Sequence, residues 1–345
     1  MNHYAILNTP GHNRVYYNES KKLAKVELAI AFSSFKTECF DIREEYIADI
    51  SYIVFTTHDE LCEGDIDILS RLSFAFAVFK RVRINEETYL LPITKSNFRY
   101  VDENINTILK YSGKTNEVFT QMLINIGRYS LKGDRTKIRL LDPVAGRGTT
   151  LFTALMMGYD VSGVEIGHTP VHEVYIFLKK YLEEEKYKHT IKKDTLHKGD
   201  KKLSAQKYSF ELARTKEEFK AENTKLFDIV CADSKNVDKY YKKNYFDLIV
   251  GDLPYGVHHG NITNERQTNV TRDCSMLLRA CLSSWKNVLK AGGVMVFAWN
   301  SFTCPREDIV RLVELSGLEV LHKDCEFLHR VDQSINRDVI VCMKR

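Results

Sequence analysis

The stretch "IRLLDPVAGRGTTLFTALMMGYDVSGVEI", residues 138–166, contains the elements that decide the fold. Its first apolar residues are typical of a buried strand, and a loop with Gly146 and Gly148 follows. Residues 151–157 suit a helix that ends at Gly158, after which the chain enters a second apolar strand. A strand, a helix and a strand in this order predict a parallel pair with a right-handed crossover.

The alternation of strands and helices continues to the end of the chain. Apolar strands are predicted at 226–233, 245–252 and 294–300, with helical segments between them. Two further strands, within 318–330 and 337–345, close the sequence. We therefore predict an α/β fold with one large, mostly parallel sheet.

The N-terminal part of the chain has a different pattern. Short strands and helices alternate there in an order typical of a small split α/β sandwich, such as a ferredoxin-like unit. We predict an N-terminal α+β domain over 1–112 and the larger α/β domain over 113–345, with the junction near Ser112 and Gly113.

A polar, lysine-rich insertion interrupts the larger domain at about 180–225. A solvated helical insertion is the simpler interpretation, because charge runs of mixed sign are typical of solvent-exposed helices. A nucleic-acid contact arm is the alternative, since Tyr187, Tyr208 and Phe210 lie among the basic residues.

The composition restricts the class of protein. With 50 Lys and Arg against 46 Asp and Glu in 345 residues, the formal net charge is +4, which permits a polyanionic partner without requiring one. The eight cysteines include no CxxC pair, which favours buried, reduced thiols and argues against a structural zinc site. A signal peptide and an apolar run of about 20 residues are both missing, so we expect a soluble cytoplasmic protein without membrane contact.

The glycine loop lacks the features of two common phosphate-binding loops. Leu151 stands where a dinucleotide-binding motif has its third glycine, and no GKS or GKT follows. Instead, Asp142, Glu165 and Asp233 stand at the ends of three predicted strands. This acidic rim repels phosphates and suits a ligand with an amino group, ribose hydroxyls and an adenine amine, so we predict S-adenosylmethionine (AdoMet). Acidic loop caps on a plain α/β domain are the alternative.

Two motifs resemble those of a known family, the glycine loop first and then a motif at the end of the predicted strand 245–252. The stretch 142–166 is similar to the AdoMet-binding motif of class I methyltransferases that act on nucleic-acid bases, and "DLPYG" at 252–256 is similar to their catalytic (D/N)-P-P-(Y/F) motif. The THUMP-associated, UPF0020-like tRNA guanine-N2 methyltransferases are the group that the chain resembles best, from about Asn116 to the C-terminus. Arg147 replaces a small residue of the usual loop, and Leu253 replaces the first proline of the catalytic motif.

The resemblance implies a Rossmann-like sheet with an antiparallel strand near the C-terminus and an N-terminal domain of ferredoxin-like or THUMP-like type. It assigns catalysis to Asp252, Leu253, Pro254 and Tyr255. It assigns AdoMet binding to nine residues around the acidic rim, and no metal is expected. The nine residues are Asp142, Pro143, Ala145, Gly146, Gly148, Thr149, Glu165, Asp233 and Ser234.

The chemistry of an exocyclic amine explains the catalytic motif. Such an amine is a poor nucleophile because its lone pair is delocalised into the ring, and two acceptors on its hydrogens would free that pair. Asp252 supplies one acceptor and can receive the proton, while a backbone carbonyl of Leu253 or Pro254 supplies the other. Tyr255 can stack on an extruded base. Most of the rate should come from holding the reacting groups in line.

The leading hypothesis is an RNA base methyltransferase, with guanine-N2 of tRNA as the target and RNA as the partner. A DNA adenine-N6 or cytosine-N4 methyltransferase shares the catalytic motif, and a protein glutamine methyltransferase has an NPPY-type version of it. The non-enzymatic alternative is a nucleic-acid-binding relic of the fold. His258 and His259 follow the motif, either as solvated loop residues or as phosphate or base contacts.

Overall fold

Two β-sheets organise the residues that this computed structural model describes. These residues are 1–9, 14–107, 114–133, 136–197, 204–255 and 274–345. The first sheet belongs to the N-terminal region, and the second, larger sheet belongs to the rest of the chain. The predicted domain boundary between 112 and 113 lies outside the described residues, so it stays a prediction.

The N-terminal sheet has the split arrangement that its sequence pattern predicts. Its elements are β1 (Asn2–Asn8), α1 (Arg14–Ala31), β2 (Cys39–Ile47), β3 (Ile50–Thr57), α2 (Glu63–Arg71), β4 (Ala75–Ile84) and β5 (Glu87–Ile93). The strands are antiparallel in the order β2-β3-β1-β4-β5. Tyr4 and Ile6 of β1 share a buried cluster with Leu23 and Leu28 of α1, so this helix covers one face of the sheet. The sequence did not reveal β2, because this edge strand contains no buried residue.

Two helices, α3 (Asn104–Thr107) and α4 (Glu117–Tyr129), lead into the second region. Its elements are β6 (Arg139–Asp142), α5 (Thr149–Met156), β7 (Asp160–Glu165), α6 (His168–Glu184), β8 (Lys188–His197), β9 (Ser204–Ala213), α7 (Lys216–Lys220), β10 (Lys225–Cys231), α8 (Val237–Tyr240), β11 (Phe246–Asp252), α9 (Cys274–Val288), β12 (Leu289–Asn300), α10 (Arg306–Leu315), β13 (Glu319–Leu321), β14 (His329–Arg330) and β15 (Asn336–Met343).

The second sheet is built around five parallel strands in the order β12-β11-β6-β7-β10. At one edge β15 pairs antiparallel with β12, and β13 and β14 pair antiparallel with β15. Leu248, Ile249 and Val250 of β11 are fully buried, as expected for a central strand that is covered on both faces. The predicted fold class, a mostly parallel Rossmann-like sheet with an antiparallel strand near the C-terminus, is therefore confirmed.

The predicted helical insertion is wrong over most of its length. The strands β8 and β9 form an antiparallel hairpin, and β9 pairs antiparallel with β10, so the insertion extends the sheet. Tyr208 and Phe210 are buried, and the Tyr208 ring stacks on Tyr175 with ring centroids 4.4 Å apart. These two aromatic residues therefore pack in the core and do not serve a nucleic-acid contact arm.

Helix α4 connects the two sheets. Its Asn125 side chain donates to Glu27 of α1 and to the carbonyl of Arg71 at the end of α2, both at 2.7 Å. Its other face approaches the second sheet so closely that a Cβ built on Gly127 would lie 3.1 Å from Val296 Cγ2. The helix thus packs against both regions.

The cysteines and the described helices bear on other predictions. The prediction of buried thiols holds for half of the eight cysteines. Four are buried, namely Cys274, Cys281, Cys304 and Cys342, and four are only half-buried, namely Cys39, Cys62, Cys231 and Cys325. None of the helices in the described ranges is long and apolar enough to cross a membrane. Within the same ranges, no group of three or more His, Cys, Asp or Glu side chains is arranged to hold a metal ion.

Candidate active site

The carboxyl ends of the central strands bring four predicted acidic residues to one edge of the sheet. Asp142 ends β6, Glu165 ends β7 and Asp252 ends β11, while Asp233 follows β10. Because these four strands are parallel and adjacent in the sheet, their ends meet on the same side. This edge is where open α/β sheets bind their ligands.

The backbone of the glycine loop between β6 and α5 donates two hydrogen bonds to β7. The N–H of Ala145 donates to the Val164 carbonyl at 2.9 Å, and the N–H of Gly146 donates to Glu165 Oε2 at 3.0 Å. Gly148, the N-cap of α5, has a φ of +84°, and Gly146 has a φ of +51°. Both φ values favour glycine, so glycine at these two positions allows the turn to form without strain.

Asp142 is buried beneath this loop. Its Oδ1 accepts from the backbone N–H of Val144 at 3.0 Å. Burial raises the pKa of Asp142 to about 7, and the nearby charges of Asp252 and Glu165 act in the same direction. The group therefore titrates near neutral pH.

Glu165 is anchored at both carboxylate oxygens. Oε2 accepts from Gly146 as described, and Oε1 accepts from the N–H of Gly167 at 2.7 Å. Each oxygen has a second lone pair, so the carboxylate can still accept from a ligand. The neighbouring Ile166 is exposed and continues this surface.

The predicted cofactor residues Asp233 and Ser234 lie after β10, where Asp233 is the N-cap and Ser234 the first residue of a short 3₁₀ turn, Ser234–Asn236. Asp233 caps this turn by accepting from the N–H of Lys235 at 3.0 Å, and its other oxygen forms an ion pair with Lys235 Nζ at 2.9 Å. Ser234 is buried, and its Oγ accepts from Trp285 Nε1 at 3.0 Å. The Asp233 carboxylate thus remains half-exposed, whereas the Ser234 hydroxyl is directed at the core.

Of the other predicted cofactor residues, Pro143 and Ala145 are buried and Thr149 is the first residue of α5. They belong to the same loop as Gly146. His258 and His259 lie outside the described residues.

Hydrogen bonds with other parts of the chain hold the catalytic motif on several sides. Asp252 Oδ2 accepts from Thr115 Oγ1 at 2.7 Å, and Oδ1 accepts a short hydrogen bond from the Tyr255 hydroxyl. Leu253 is 1% exposed, and its N–H donates to the Ala298 carbonyl at 2.8 Å. Pro254 is half-buried at the turn. The motif therefore leaves β11 in a defined conformation.

Tyr255 packs against residues that the sequence did not single out. The Arg337 guanidinium lies 5.2 Å from the centre of the Tyr255 ring and 4.3 Å from that of Phe119. Burial, with the adjacent Asp252 charge, raises the pKa of Tyr255 well above its usual value. Tyr255 is thus a neutral hydrogen-bond donor here, and within the described ranges its ring contacts the Arg337 guanidinium. Its stacking on a base stays a prediction.

His329 borders the same cluster. Its ring lies 5.2 Å from that of Phe119, and its Nδ1 is 2.8 Å from the Phe327 carbonyl. Burial lowers the pKa of His329 to about 4, so this imidazole is neutral at physiological pH. Thr115, Phe119, His329 and Arg337 carry no motif in the sequence, which is why only the fold reveals them.

Comparison with known proteins supports the methyltransferase interpretation. A family model described as an RMKL-like methyltransferase domain (UPF0020) matches residues 129–311. No curated protein sequence gives a significant match. The predicted methyltransferase resemblance is therefore confirmed, whereas the THUMP-associated guanine-N2 subgroup stays a prediction.

The solved structures that match this chain share little sequence with it. A TehB-like SAM-dependent methyltransferase from Corynebacterium glutamicum is 15% identical, covering 61% of this chain and 83% of its own, with a TM-score of 0.33. An rRNA methylase from Streptococcus thermophilus is 9% identical over 62% of this chain and 89% of its own, with a TM-score of 0.33. The T. thermophilus 16S rRNA N2-guanosine methyltransferase RsmC, in complex with AdoMet and guanosine, is 17% identical over 89% of this chain and 58% of its own, with a TM-score of 0.34.

Proposed function

Because this chain belongs to the UPF0020 family of RMKL-like methyltransferase domains, we propose that it transfers a methyl group from AdoMet to an exocyclic amine of an RNA base. The observation that carries the proposal is the position of Asp252, which ends β11 on the same sheet edge as the glycine loop and its acidic rim. Guanine-N2 of tRNA is the target that we propose to test first.

The loop and its acidic rim fit the proposed cofactor. A Cβ built on Gly146 would meet no atom of the described residues within 4 Å, so the loop backbone borders open space. Glu165 would accept from ribose hydroxyls, Asp233 from the adenine amine, and Asp142 would attract the ammonium group of the methionine end. When bound, AdoMet supplies an electrophilic methyl group on its sulfonium and leaves as S-adenosylhomocysteine, while the amine loses one proton.

The residues of the catalytic motif would act on the target amine. Asp252 accepts a hydrogen bond from the amine, which returns lone-pair density to the nitrogen, and then receives its proton. A backbone carbonyl of Leu253 or Pro254 accepts the second hydrogen. Pro254 restricts the conformation of Leu253, which keeps these acceptors in place before the substrate arrives.

The structure of the insertion supports RNA over DNA. A DNA adenine-N6 or cytosine-N4 methyltransferase usually carries a target-recognition region. The hairpin β8–β9 is instead part of the main sheet, which leaves the small N-terminal sheet as the main candidate among the described elements. The relic hypothesis predicts a damaged cofactor pocket, yet the acidic rim is complete. We propose a reducing, cytoplasmic environment, in keeping with cysteines that form no disulfide in the described residues.

The test is to incubate the protein with labelled AdoMet and separate pools of tRNA, rRNA and DNA, and to identify the methylated nucleoside by mass. We expect N2-methylguanosine from tRNA. N6-methyladenine from DNA would contradict the RNA proposal, and an absence of AdoMet binding by calorimetry would contradict the whole enzyme class.

The Asp252→Ala variant tests whether the catalytic motif carries out the methyl transfer. Asp252→Ala should abolish turnover and leave AdoMet binding within about threefold, because the proposed cofactor contacts lie elsewhere on the rim. The exposed Asp194 of β8 offers a matched control, and Asp194→Ala should behave like the wild type. Loss of AdoMet binding in Asp252→Ala would contradict this division of roles.

A further inference from the structure

Both carboxylate oxygens of Asp252 already accept hydrogen bonds from hydroxyl groups. Thr115 Oγ1 donates to Oδ2 at 2.7 Å, and the Tyr255 hydroxyl donates to Oδ1. The two donors come from different parts of the chain, since Tyr255 belongs to the catalytic motif and Thr115 precedes helix α4. A target amine therefore meets a carboxylate that is already held on both sides.

The two donors lie in different surroundings. Thr115 is followed directly by the N-cap of α4, where the Asn116 side chain accepts from the N–H groups of Val118 and Phe119 at 2.8 and 3.2 Å. A capped helix end fixes the backbone beside it. Tyr255, in contrast, lies on the segment that follows the motif proline, and its ring is held by packing against Arg337.

We propose that Thr115 is a positioning residue that holds Oδ2 of Asp252 throughout the reaction, while Tyr255 releases Oδ1 to the target amine. This inference rests on the proposed function. A carboxylate fixed at one oxygen cannot rotate freely, so its other oxygen stays directed at the amine. The released Tyr255 ring then becomes available to stack on the base, which reconciles its predicted role with its observed hydrogen bond.

The geometry also explains why helix α4 reaches the catalytic edge. Phe119, one turn beyond Thr115, is 2% exposed and packs on the Arg337 guanidinium. The same guanidinium lies over the Tyr255 ring. Thr115 and Tyr255 are therefore two ends of one packed group around Asp252, and α4 carries the Thr115 end.

The test compares Thr115→Val, which removes the hydroxyl at constant shape, with Thr115→Ser, which keeps it. Thr37→Val is the matched control, because Thr37 Oγ1 donates to Asp65 Oδ2 at the same 2.7 Å, but in the N-terminal region. A hydrogen bond to a charged group contributes about 1.5–3 kcal/mol, so we expect kcat of Thr115→Val to fall by roughly 10- to 150-fold. The Kd of AdoMet should stay within about twofold, and Thr115→Ser should recover most of kcat.

The outcomes separate this inference from the proposed function. A wild-type protein without methyl transfer to any pool would overturn both. If the wild type is active and Thr115→Val is equally active, the positioning role alone is overturned. The same conclusion follows if Thr115→Ser is as slow as Thr115→Val. If Thr115→Val does not fold, Thr115→Ala removes the same hydroxyl without adding a methyl group, and Thr37→Val reports the effect of losing a Thr–Asp bond on folding.

Discussion

The backbone N–H of Gly146 donates to Glu165 Oε2 at 3.0 Å, which joins the loop after β6 to the end of β7. One carboxylate thus shapes the glycine loop and remains able to accept from a ligand. The loop and the acidic rim, which look like separate motifs in the sequence, form a single unit in the fold.

Replacement of Glu165 by Gln tests this unit. The amide has one acceptor oxygen, so one of the two backbone N–H groups, that of Gly146 or that of Gly167, loses its partner. We expect the Kd of AdoMet to rise by about 10-fold or more, measured by calorimetry. Glu183→Gln on the exposed side of α6 is the control and should leave the Kd unchanged. Unchanged binding in Glu165→Gln would show that the carboxylate acts on neither the loop nor the ligand.

The two loop glycines should respond differently to alanine. At Gly148 a Cβ would lie 3.1 Å from Phe152 Cε2 and 3.2 Å from Val174 Cγ2, at a φ of +84°. Gly148→Ala should therefore lower the free energy of unfolding by about 1–3 kcal/mol. At Gly146 the space is open, so Gly146→Ala should cost only about 1 kcal/mol but weaken AdoMet binding more than 10-fold. Denaturant unfolding and calorimetry on both variants check this contrast, which equal losses of stability would contradict.

Glu27 should make the stability of the protein depend on pH. Burial raises the pKa of Glu27 from 4.5 to about 7, although hydrogen bonds from Ser73 and Asn125 oppose the shift. Because the folded state holds this proton more tightly than the unfolded chain, its contribution is complete below about pH 4.5 and is lost as the pH rises through 7. Glu27→Gln stays neutral, so its unfolding free energy relative to the wild type should rise by about 2–3 kcal/mol between pH 5 and 8. Urea titrations across this range provide the measurement, and parallel pH profiles would refute it.

Leu253 occupies the position where the family motif more often has proline. Its N–H donates to the buried Ala298 carbonyl at 2.8 Å. Leu253→Pro removes this donor and should lower the free energy of unfolding by at least 1–3 kcal/mol, on the order of an unsatisfied buried carbonyl. Leu253→Met keeps the N–H and should cost less than about 1.5 kcal/mol. Thermal unfolding of the two variants measures this difference. Equal stability of the two variants would mean that the hydrogen bond from Leu253 does not contribute to the stability of the fold.

The positions of residues in the fold could be predicted from the sequence where the local sequence pattern agrees with the fold. Gly146, Gly148 and the strand-terminal acids Asp142 and Glu165 could be placed because a single strand–loop–helix–strand unit contains them all. The hairpin β8–β9 was missed although Tyr208, Phe210 and Leu212 alternate at the period of a strand. The lysines around them outweighed that signal, yet lysines are also frequent on edge strands.

Thr115 could not be predicted from the sequence at all. It lies 137 positions before Asp252 and belongs to no motif. Only the packing of α4 against the second sheet brings the two side chains together. The same holds for Arg337, which reaches Tyr255 because β15 pairs antiparallel with β12.

Helix α4 has a consequence for how this protein can evolve. Its Asn125 bonds to Glu27 on one side, and its Gly127 lies against Val296 on the other. An exchange of the N-terminal region for an unrelated one would leave Asn125 of this helix without its partners. A shift of the helix that followed would also move Thr115, which lies just before the helix. The two regions are therefore expected to be inherited together, as one co-adapted pair, and not to be shuffled as independent modules.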